Sequence, residues 1–391
     1  MFPNNLDVLR GFSFKIAARC NLNCSYCYVF NKGDSSWRRR PAIMPDDIFD
    51  SALGRIRDFC NETGRDSISI TFHGGEPCLA GVERMDRWCQ QVRTALDDVA
   101  KVRLTIQTNG TLLNSEWANL FRKHDISVGI SMDGPKSIHD QYRLDHKGEG
   151  SYDSVIRGMS VLKEAGIDFS ILSVINFDAD PLEVHRHFSA LGPHGISYLM
   201  PDFTHDTVQE VRRIYGETPC SDFLIPLFDE WWFNGYVDQL IQPFWSIAKM
   251  ILGGDSNLDC FGNEPFGFLF IETDGTIEGL DVLRVCGDGF ANTKYNIVQH
   301  SFNDFASSVG FNQSLIFQGH ETPTACNKCV EASTCAGGYV PHRYGTINGF
   351  NNKSIWCKDI LSLFSHIRNR LQVSAQESLL RRQALSDLEA M

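Results

Sequence analysis

Short apolar runs alternate with longer amphipathic stretches through the first 200 residues. The stretches in between, such as 45–60, 115–124 and 152–166, place apolar residues at helical spacing and predict helices. The short runs are rich in β-branched and aromatic residues and predict six strands. These predicted strands cover residues 12–18, 67–73, 102–108, 127–132, 169–175 and 196–200.

This alternation predicts an α/β fold, a partial (β/α)6 TIM-like barrel in which helices cover a parallel sheet. In such sheets the functional residues collect at the carboxyl ends of the strands. Four unusual segments directly follow or end predicted strands: RCNLNCSYCYVF, HGGEP, QTNG and SMDGP. We therefore expect one edge of the sheet to carry the chemistry.

The second half of the chain has a different pattern. Residues 202–259 are helical and aromatic-rich, and FGFLFIETDGTIEGLDVL predicts a β-hairpin that turns at Asp274 and Gly275. A cysteine-rich segment and an amphipathic C-terminal helix follow. We expect four divisions: a barrel (1–200), a helical bridge (201–259), a smaller cysteine-rich domain (260–360) and a C-terminal helix with its tail (361–391).

Composition and charge exclude several classes of protein. The 391 residues are 42% hydrophobic, which allows a sizeable core, and carry a net charge of −12, which argues against nucleic-acid binding. No signal sequence or long apolar run is present, so we expect a cytoplasmic protein with no membrane association. The basic segment WRRRP is either a solvated loop or a contact for an acidic substrate segment.

Thirteen cysteines are present, and seven of them form two clusters whose short spacings are typical of metal sites rather than disulfides. The first cluster has three members, Cys20, Cys24 and Cys27. A structural zinc site, or a four-iron cluster for electron transfer, takes four protein ligands. Three thiolates therefore predict a metal site with one position open for a substrate, and a zinc knuckle or a chance cluster is the alternative. Four further cysteines are expected to be buried and not ligands: Cys60, Cys78, Cys89 and Cys220.

The spacing of these three cysteines, with Tyr26 between them, resembles the signature of the radical SAM superfamily. The resemblance implies that the thiolates hold three irons of a four-iron cluster, whose fourth iron binds S-adenosylmethionine. It implies that Glu76 accepts from the methionyl ammonium, that Ser131 and Arg143 hold the carboxylate, and that Gln107 and Asn109 lie near the ribose. The complete predicted S-adenosylmethionine site is Tyr28, Gly74, Gly75, Glu76, Pro77, Gln107, Asn109, Ser131 and Arg143.

The second cysteine cluster resembles the SPASM extension of radical SAM peptide maturases. In that extension a set such as Cys326, Cys329, Cys335 and Cys357 encloses an auxiliary four-iron cluster, and a four-cysteine zinc site is the alternative. A second auxiliary cluster of the family needs cysteines at two positions that hold Leu280 and Tyr339 here, which leaves Cys260 and Cys286 as the nearby candidates. We expect at least one auxiliary cluster.

Asp281 directly follows Leu280. In the sulfatase-maturing branch of the family, the corresponding aspartate is placed to take a proton from the substrate. The resemblance therefore implies that Asp281 is a catalytic base, and a solvated hairpin carboxylate is the alternative.

The segments CYVFNKGDSSWRRRP, HGGEP and IETDGTIEGLDVLRVCGDGF look most like maturases that join an aromatic ring to a nearby side-chain carbon. We therefore predict a radical SAM oxidoreductase that forms a cyclophane in a ribosomally made precursor peptide, with flavodoxin or ferredoxin as external reductant. The enzymatic alternative is an anaerobic sulfatase maturase, which oxidises Cys or Ser to formylglycine. A noncatalytic iron-sulfur or zinc-binding carrier or scaffold is the alternative from another class. Because few residues precede the first strand, we expect the barrel, the hairpin edge or a partner protein to hold the substrate.

Overall fold

The structure, a computed structural model, describes residues 5–234, 239–256 and 258–389. The predicted helical bridge includes positions 235–238 and 257, which lie outside the described residues. The first four residues of the predicted barrel and the last two of the predicted tail also lie outside them.

Strands and helices alternate regularly through the first half of the chain. In order they are β1 (Gly11–Ala17), α1 (Asp46–Thr63), β2 (Ser67–Gly74), α2 (Val82–Leu96), β3 (Lys101–Thr108), α3 (Ser115–His124), β4 (Ile126–Ser131), α4 (Lys136–Tyr142), α5 (Tyr152–Glu164), β5 (Phe169–Val174), α6 (Pro181–Leu191) and β6 (Gly195–Leu199). The six predicted strands and the three predicted helices are all present, which confirms the α/β alternation.

The second half is mainly helical, with a small antiparallel segment. Its elements are α7 (Gln209–Tyr215), α8 (Pro219–Phe233), β7 (Leu240–Ile241), α9 (Gln242–Ile251), β8 (Phe268–Ile271), β9 (Thr276–Glu278), β10 (Asn292–Asn296), α10 (Phe302–Ala306), α11 (Phe311–Phe317), α12 (Ala332–Cys335), α13 (Cys357–Leu371) and α14 (Ala375–Glu389). The predicted hairpin is confirmed: β8 and β9 pair antiparallel, and Gly275 takes the positive φ of +80° that the turn requires.

The chain divides into two compact units. The first consists of residues 1–132, 139–170 and 265–319, and the second of residues 133–138, 171–264 and 320–391. Within the first unit the strand order is β10-β9-β8-β1-β2-β3-β4, and the pairs from β8 through β4 are parallel. Because β1 lies between β8 and β2, the hairpin from late in the chain lies beside its first strand.

The second unit continues the βα pattern and carries the helical part of the chain. Its strands have the order β5-β6-β7, and β6 pairs in parallel with β7. Helices α8 and α13 pack together, and the backbone N–H of Ser221 donates to the buried Asp359 carboxylate over 2.9 Å. This contact joins the N-terminal turn of α8 to the first turn of α13.

All seven residues of β1 are buried, so both of its faces are covered. On one face, Phe12 and Phe14 pack against helical aromatic residues: the ring of Phe14 lies 5.1 Å from that of Phe49, which stacks on Trp88. Side chains alternate along a strand, so Lys15 points to the opposite face. A cation is thereby placed on the inner side of the parallel sheet.

Local signals explain why two of the helices begin where they do. The Asn114 side chain accepts hydrogen bonds from the backbone N–H groups of Glu116 and Trp117, and Asp180 caps α6 in the same way. Such caps satisfy backbone donors that a first helical turn leaves unpaired. Among the described residues, no helix combines the length and hydropathy that a membrane span needs.

Candidate functional site

The loop after β1 brings Cys20, Cys24 and Cys27 together. The backbone N–H of Cys27 donates to the carbonyl of Cys24 over 3.0 Å, which closes a tight turn between them. Burial, together with the negative charges of Glu76, Cys24 and Cys27, raises the pKa of Cys20 to about 12. Three thiolates this close repel one another unless a cationic centre lies between them. Three thiols in one loop are the donor type of an iron-sulfur cluster, and among the described residues they are not arranged to hold a single metal ion.

Two hydrogen-bond donors are aimed at the sulfur of Cys20. The backbone N–H of Leu22 lies 3.4 Å from Sγ, and the side-chain Nδ2 of Asn109 lies 3.8 Å from it. Hydrogen bonds to ligating sulfurs are one means by which proteins adjust iron-sulfur clusters. Asn109 was predicted near the ribose, and the structure places its amide next to Cys20 and Asn21.

The two glycines of HGGEP allow the end of β2 to lie directly against the start of the cysteine loop. A Cβ atom on Gly74 would stand 2.4 Å from the carbonyl oxygen of Ala17, and one on Gly75 would stand 2.2 Å from that of Arg19. Backbone N–H groups of Gly75 and Glu76 donate to these same carbonyls over 2.6 and 2.9 Å. In the described structure, the close approach is therefore made to the cysteine loop itself.

Glu76 is fully buried, and its carboxylate accepts hydrogen bonds from three donors. Its Oε1 accepts from the backbone N–H of Cys78 and the hydroxyl of Thr108 over 2.9 and 2.7 Å, and its Oε2 accepts from the backbone N–H of Asn109 over 2.8 Å. Burial raises the pKa of Glu76, and these hydrogen bonds oppose the rise. The carboxylate thus joins the ends of β2 and β3. Its predicted contact with the methionyl ammonium stays a prediction, as does a role for neighbouring Pro77, which is buried.

The other predicted S-adenosylmethionine ligands lie at the ends of β3 and β4 and after α4. The amide of Gln107 donates to the hydroxyl of Ser131 over 2.9 Å. The guanidinium of Arg143 lies 5.5 Å from the ring centre of Tyr26, inside the cysteine loop, and its charge lowers the pKa of Cys27 against the larger effect of burial. All of these residues belong to the first unit, and their roles towards S-adenosylmethionine stay predictions.

Asp281 is not a solvated hairpin carboxylate, because it is only 2% exposed. It forms an ion pair with the buried Lys15 of β1, and the hydroxyl of Tyr28 donates to its Oδ2 over 2.7 Å. Burial alone would raise the pKa of Asp281, but the charge of Lys15 and the hydrogen bond from Tyr28 oppose it, and the pKa lies below its usual value. The carboxylate is thus kept ionised. Tyr28 contacts Asp281, and its predicted contact with the cofactor stays a prediction.

His73 belongs to the same group of side chains and was given no role from the sequence. Its Cα pairs with that of Lys15 in the register of β1 and β2, and its Nδ1 accepts from the backbone N–H of Gly74 over 2.8 Å. Burial and the charge of Lys15 lower its pKa to about 3, against an opposing effect of Asp281. The position of His73, first in the HGGEP segment at a strand end, was the signal in the sequence that could have identified it.

A buried charge cluster supports the turn that carries Asp281. Arg284, three residues after Asp281, pairs with Glu272 and Glu278 of the hairpin and with Asp34, and Arg40 pairs with the same two glutamates. Neither interpretation of WRRRP fits Arg40, which is 6% exposed, whereas Arg38 and Arg39 are exposed. Burial and the neighbouring Glu278 raise the pKa of Glu272 to about 7, against the opposing charges of Arg284 and Arg40. This charge cluster has two guanidinium groups and four carboxylates and comprises Asp34, Arg40, Glu272, Asp274, Glu278 and Arg284.

The four cysteines of the second cluster converge in the second unit. Cys326 ends a short 3-10 helix, Cys335 ends α12 and Cys357 begins α13. Burial raises the pKa of Cys335 to about 12, with further contributions from Cys357 and Cys326, and Cys357 likewise interacts with Cys326 and Cys329. Four thiols within electrostatic range of one another are the donor type of an iron-sulfur cluster, and among the described residues they are not arranged to hold a single metal ion.

One bidentate ion pair joins the helices beside the second cysteine cluster, and two further cysteines lie outside the set of four. The guanidinium of Arg368 on α13 donates to both carboxylate oxygens of Glu331 over 2.6 and 2.8 Å, which ties α12 to α13. Cys260 is half-buried, and its pKa is raised by desolvation, by Asp259 and by Cys335, so it lies near the four-cysteine set. Cys286 ends the 3-10 helix that begins at Asp281, in the first unit. Their predicted role in a second auxiliary cluster stays a prediction. The four cysteines expected to be buried are all buried.

The chain is similar to known proteins along most of its length. Residues 14–189 match the family model of the Radical SAM superfamily. The chain is 32% identical over 362 residues to a serine-type anaerobic sulfatase-maturating enzyme of Klebsiella aerogenes, and the match covers 90% of this chain and 83% of that protein. It is 25% identical over 369 residues to a cysteine-type anaerobic sulfatase-maturating enzyme of Clostridium novyi, and the match covers 92% of this chain and 95% of that protein.

Solved structures share the fold. A structure of native anSMEcpe with bound AdoMet has a TM-score of 0.78 and 24% identity, and covers 93% of this chain and 98% of that chain. The structure of Streptococcus suis SuiB bound to precursor peptide SuiA has a TM-score of 0.54 and 15% identity, and the match covers 85% of this chain and 72% of that chain. The predicted fold, a radical SAM barrel with a SPASM-like C-terminal domain, is confirmed.

Proposed function

We propose, because the chain belongs to the radical SAM/SPASM-type family of anaerobic sulfatase-maturating enzymes, that it oxidises a serine or cysteine side chain of a protein substrate to formylglycine. The observation that carries this proposal is the ionised carboxylate of Asp281, which lies in the same compact unit as Cys20, Cys24 and Cys27. Converting the serine hydroxymethyl group to an aldehyde removes one hydrogen atom, one electron and one proton, and an auxiliary cluster held by the four thiols of the second unit would be the acceptor of the electron. Asp281 is suited to accept the proton.

The predicted formation of a cyclophane is wrong. The relatives that match over 90% or more of the chain include serine-type and cysteine-type anaerobic sulfatase-maturating enzymes, which were the alternative interpretation. That alternative was ranked second because Leu280 and Tyr339 replace two cysteines of the family pattern. The similarity extends along nearly the whole chain despite these two replacements, so they do not remove it from the family. In this proposal a peptide segment of a sulfatase takes the place of the ribosomal precursor peptide.

Radical SAM enzymes use a four-iron cluster and S-adenosylmethionine, which confirms the predicted cofactors. When bound, they supply the radical that removes a hydrogen atom from the substrate carbon. The residues of this chain fit both groups: Cys20, Cys24 and Cys27 would hold the cluster, and the polar groups at the ends of β3 and β4 would hold S-adenosylmethionine. The four thiols of the second unit fit an auxiliary cluster, and an external low-potential reductant stays a prediction.

Asp281 presents one oxygen for the proton transfer. Both the ion pair with Lys15 and the hydrogen bond from Tyr28 are made to Oδ2. Across residues 5–234, 239–256 and 258–389, Oδ1 accepts no hydrogen bond, so it can accept a proton from the substrate. A hydroxyl next to a carbon-centred radical is more acidic than an ordinary alcohol, and a carboxylate of lowered pKa is therefore a sufficient base. For a cysteine, the same removal gives a thioaldehyde, which water hydrolyses.

The experiment is an anoxic assay of the reconstituted enzyme with S-adenosylmethionine, a strong reductant and synthetic peptides that span the maturation serine or cysteine of a sulfatase. We expect 5′-deoxyadenosine and a peptide aldehyde, detected by mass spectrometry and by reaction with a hydrazide probe. Changing Cys20, Cys24 and Cys27 to Ala should abolish both products. Asp281→Asn should lower aldehyde formation by about 10²-fold or more while the cluster is retained. If deoxyadenosine forms but neither peptide yields an aldehyde, the proposed function is wrong.

A further inference from the structure

His73 has a defined tautomer. A backbone N–H can only donate, and that of Gly74 points to Nδ1 of His73 over 2.8 Å. Nδ1 must therefore be the unprotonated nitrogen of the ring. In a neutral imidazole the single proton then lies on Nε2, which becomes a hydrogen-bond donor.

The surroundings of His73 keep its ring neutral. The ring lies beside Lys15, its register partner on β1, and a second positive charge next to this buried cation is unfavourable. Burial and Lys15 lower the pKa of His73 to about 3, and Asp281 opposes them only in part. At any pH near neutrality, His73 is an uncharged donor rather than a cation.

The Nε2–H group of His73 has no acceptor within the portion of the chain that the structure describes. The side chain is half-buried, at the carboxyl end of β2, so the donor is not sealed inside the core. It lies in the same group of side chains as Asp281, whose Oδ1 is also without a hydrogen bond there. This part of the first unit therefore offers one neutral donor and one anionic acceptor, and a ligand bound there would satisfy both.

We propose that His73 is a substrate-binding residue, whose Nε2–H donates to a backbone carbonyl oxygen of the peptide segment that carries the residue to be oxidised. This inference rests on the proposed function and names a contact that selects its substrate. A peptide offers a carbonyl acceptor beside every side chain, and a neutral N–H donor can hydrogen-bond to it without burying a further charge. The donor orients the peptide, and the free oxygen of Asp281 then faces the side chain to be oxidised.

Two substitutions separate this role from a structural one. In His73→Asn the amide oxygen can still accept from the N–H of Gly74, but the donor at the Nε2 position is lost. In His73→Gln the amide nitrogen reaches the Nε2 position and restores the donor. His194→Asn, at an exposed position after α6, is the matched control. Iron content and thermal unfolding of each variant check that the fold and the cluster are retained.

The measured quantity is the Kd for binding of a fluorescein-labelled peptide to the reconstituted enzyme loaded with S-adenosylmethionine. The peptide spans the maturation serine of a sulfatase. We expect His73→Asn to raise the Kd by about fivefold, the effect of losing one neutral hydrogen bond, and to raise KM more than it lowers kcat. His73→Gln should recover a Kd within about twofold of the wild type.

Two results would overturn the inference. One is an unchanged peptide Kd in His73→Asn; the other is weakened binding in His73→Gln alone, which would mean that His73 serves only to accept from Gly74. The proposed function is tested separately by aldehyde formation in the wild type. The wild type could make no aldehyde while the peptide Kd rises in His73→Asn and recovers in His73→Gln. In that case the proposed function is wrong, and the proposed contact between His73 and the peptide is supported.

Discussion

Replacing Lys15 with Met is the most direct test of the ion pair that holds Asp281. Lys15 and Asp281 are 3% and 2% exposed, so the substitution leaves a carboxylate buried without its paired cation. Methionine has a similar length and no charge, which limits the loss of packing. Removing one partner of a buried ion pair costs about 3–5 kcal/mol of unfolding free energy. For a compact unit of roughly 150–250 residues, this corresponds to a fall in Tm of roughly 10 °C.

The same substitution should change the protonation of Asp281. Burial is the largest influence on its pKa and raises it, and Lys15 is the largest influence that lowers it. In the wild type the pKa is lowered, so the stabilising contribution of Asp281 is present at neutral pH and is lost on acidification below about pH 4. In Lys15→Met the largest opposing influence is lost, so the pKa of the Asp281 carboxyl should rise. Aldehyde formation should then fall by about 10²-fold, because the base is lost.

A double variant supplies the control. Lys15→Met combined with Asp281→Asn removes both charges, and a neutral pair of similar size should recover most of the lost Tm without restoring aldehyde formation. Thermal unfolding of the anoxic holoenzyme and the peptide assay measure the two effects. A single Lys15→Met variant with wild-type Tm and wild-type turnover would refute the assignment of Lys15 and Asp281 as a buried ion pair.

Three further predictions concern the clusters, the buried charge cluster and the glycine contact. The two cysteine sets should bind about eight irons per chain, and Cys326→Ala should lower this to about four; about twelve irons in the wild type would show that more ligands are present. The pKa of Glu272 is raised to about 7, so the folded protein holds a proton that the unfolded chain loses. The free energy of unfolding of the wild type should therefore fall between about pH 4.5 and 7 relative to that of Glu272→Gln. Parallel pH profiles of the two proteins would contradict this. Gly75→Ala should lower the free energy of unfolding by about 1–3 kcal/mol and impair S-adenosylmethionine cleavage, because its Cβ would meet the carbonyl of Arg19. Gly54→Ala is the control, since there is open space around Gly54 and the substitution should not destabilise the protein. Equal Tm values for the two variants would exclude the predicted clash.

The prediction of cyclophane formation was wrong because it relied on short sequence motifs. The cyclophane interpretation rested on local segments such as HGGEP and on the replacement of two cysteines by Leu280 and Tyr339. Short segments identify the cofactor chemistry, because Cys20, Cys24 and Cys27 act within one loop. They are weaker guides to the reaction, which depends on side chains that many separate elements contribute to the pocket.

The amino-acid sequence by itself determined the alternation of strands and helices, the hairpin turn at Gly275 and the two cysteine sets. Each of these depends on residues close together in the chain, where apolar periodicity, turn preferences and ligand spacing are visible. Only the tertiary structure decided that Lys15 pairs with Asp281, that Tyr28 contacts the same carboxylate 253 positions away, and that Arg284 pairs with Asp34 across 250 positions. These contacts exist because β8 lies beside β1 in the sheet, and strand order is set by the packing of the whole unit rather than by any local pattern.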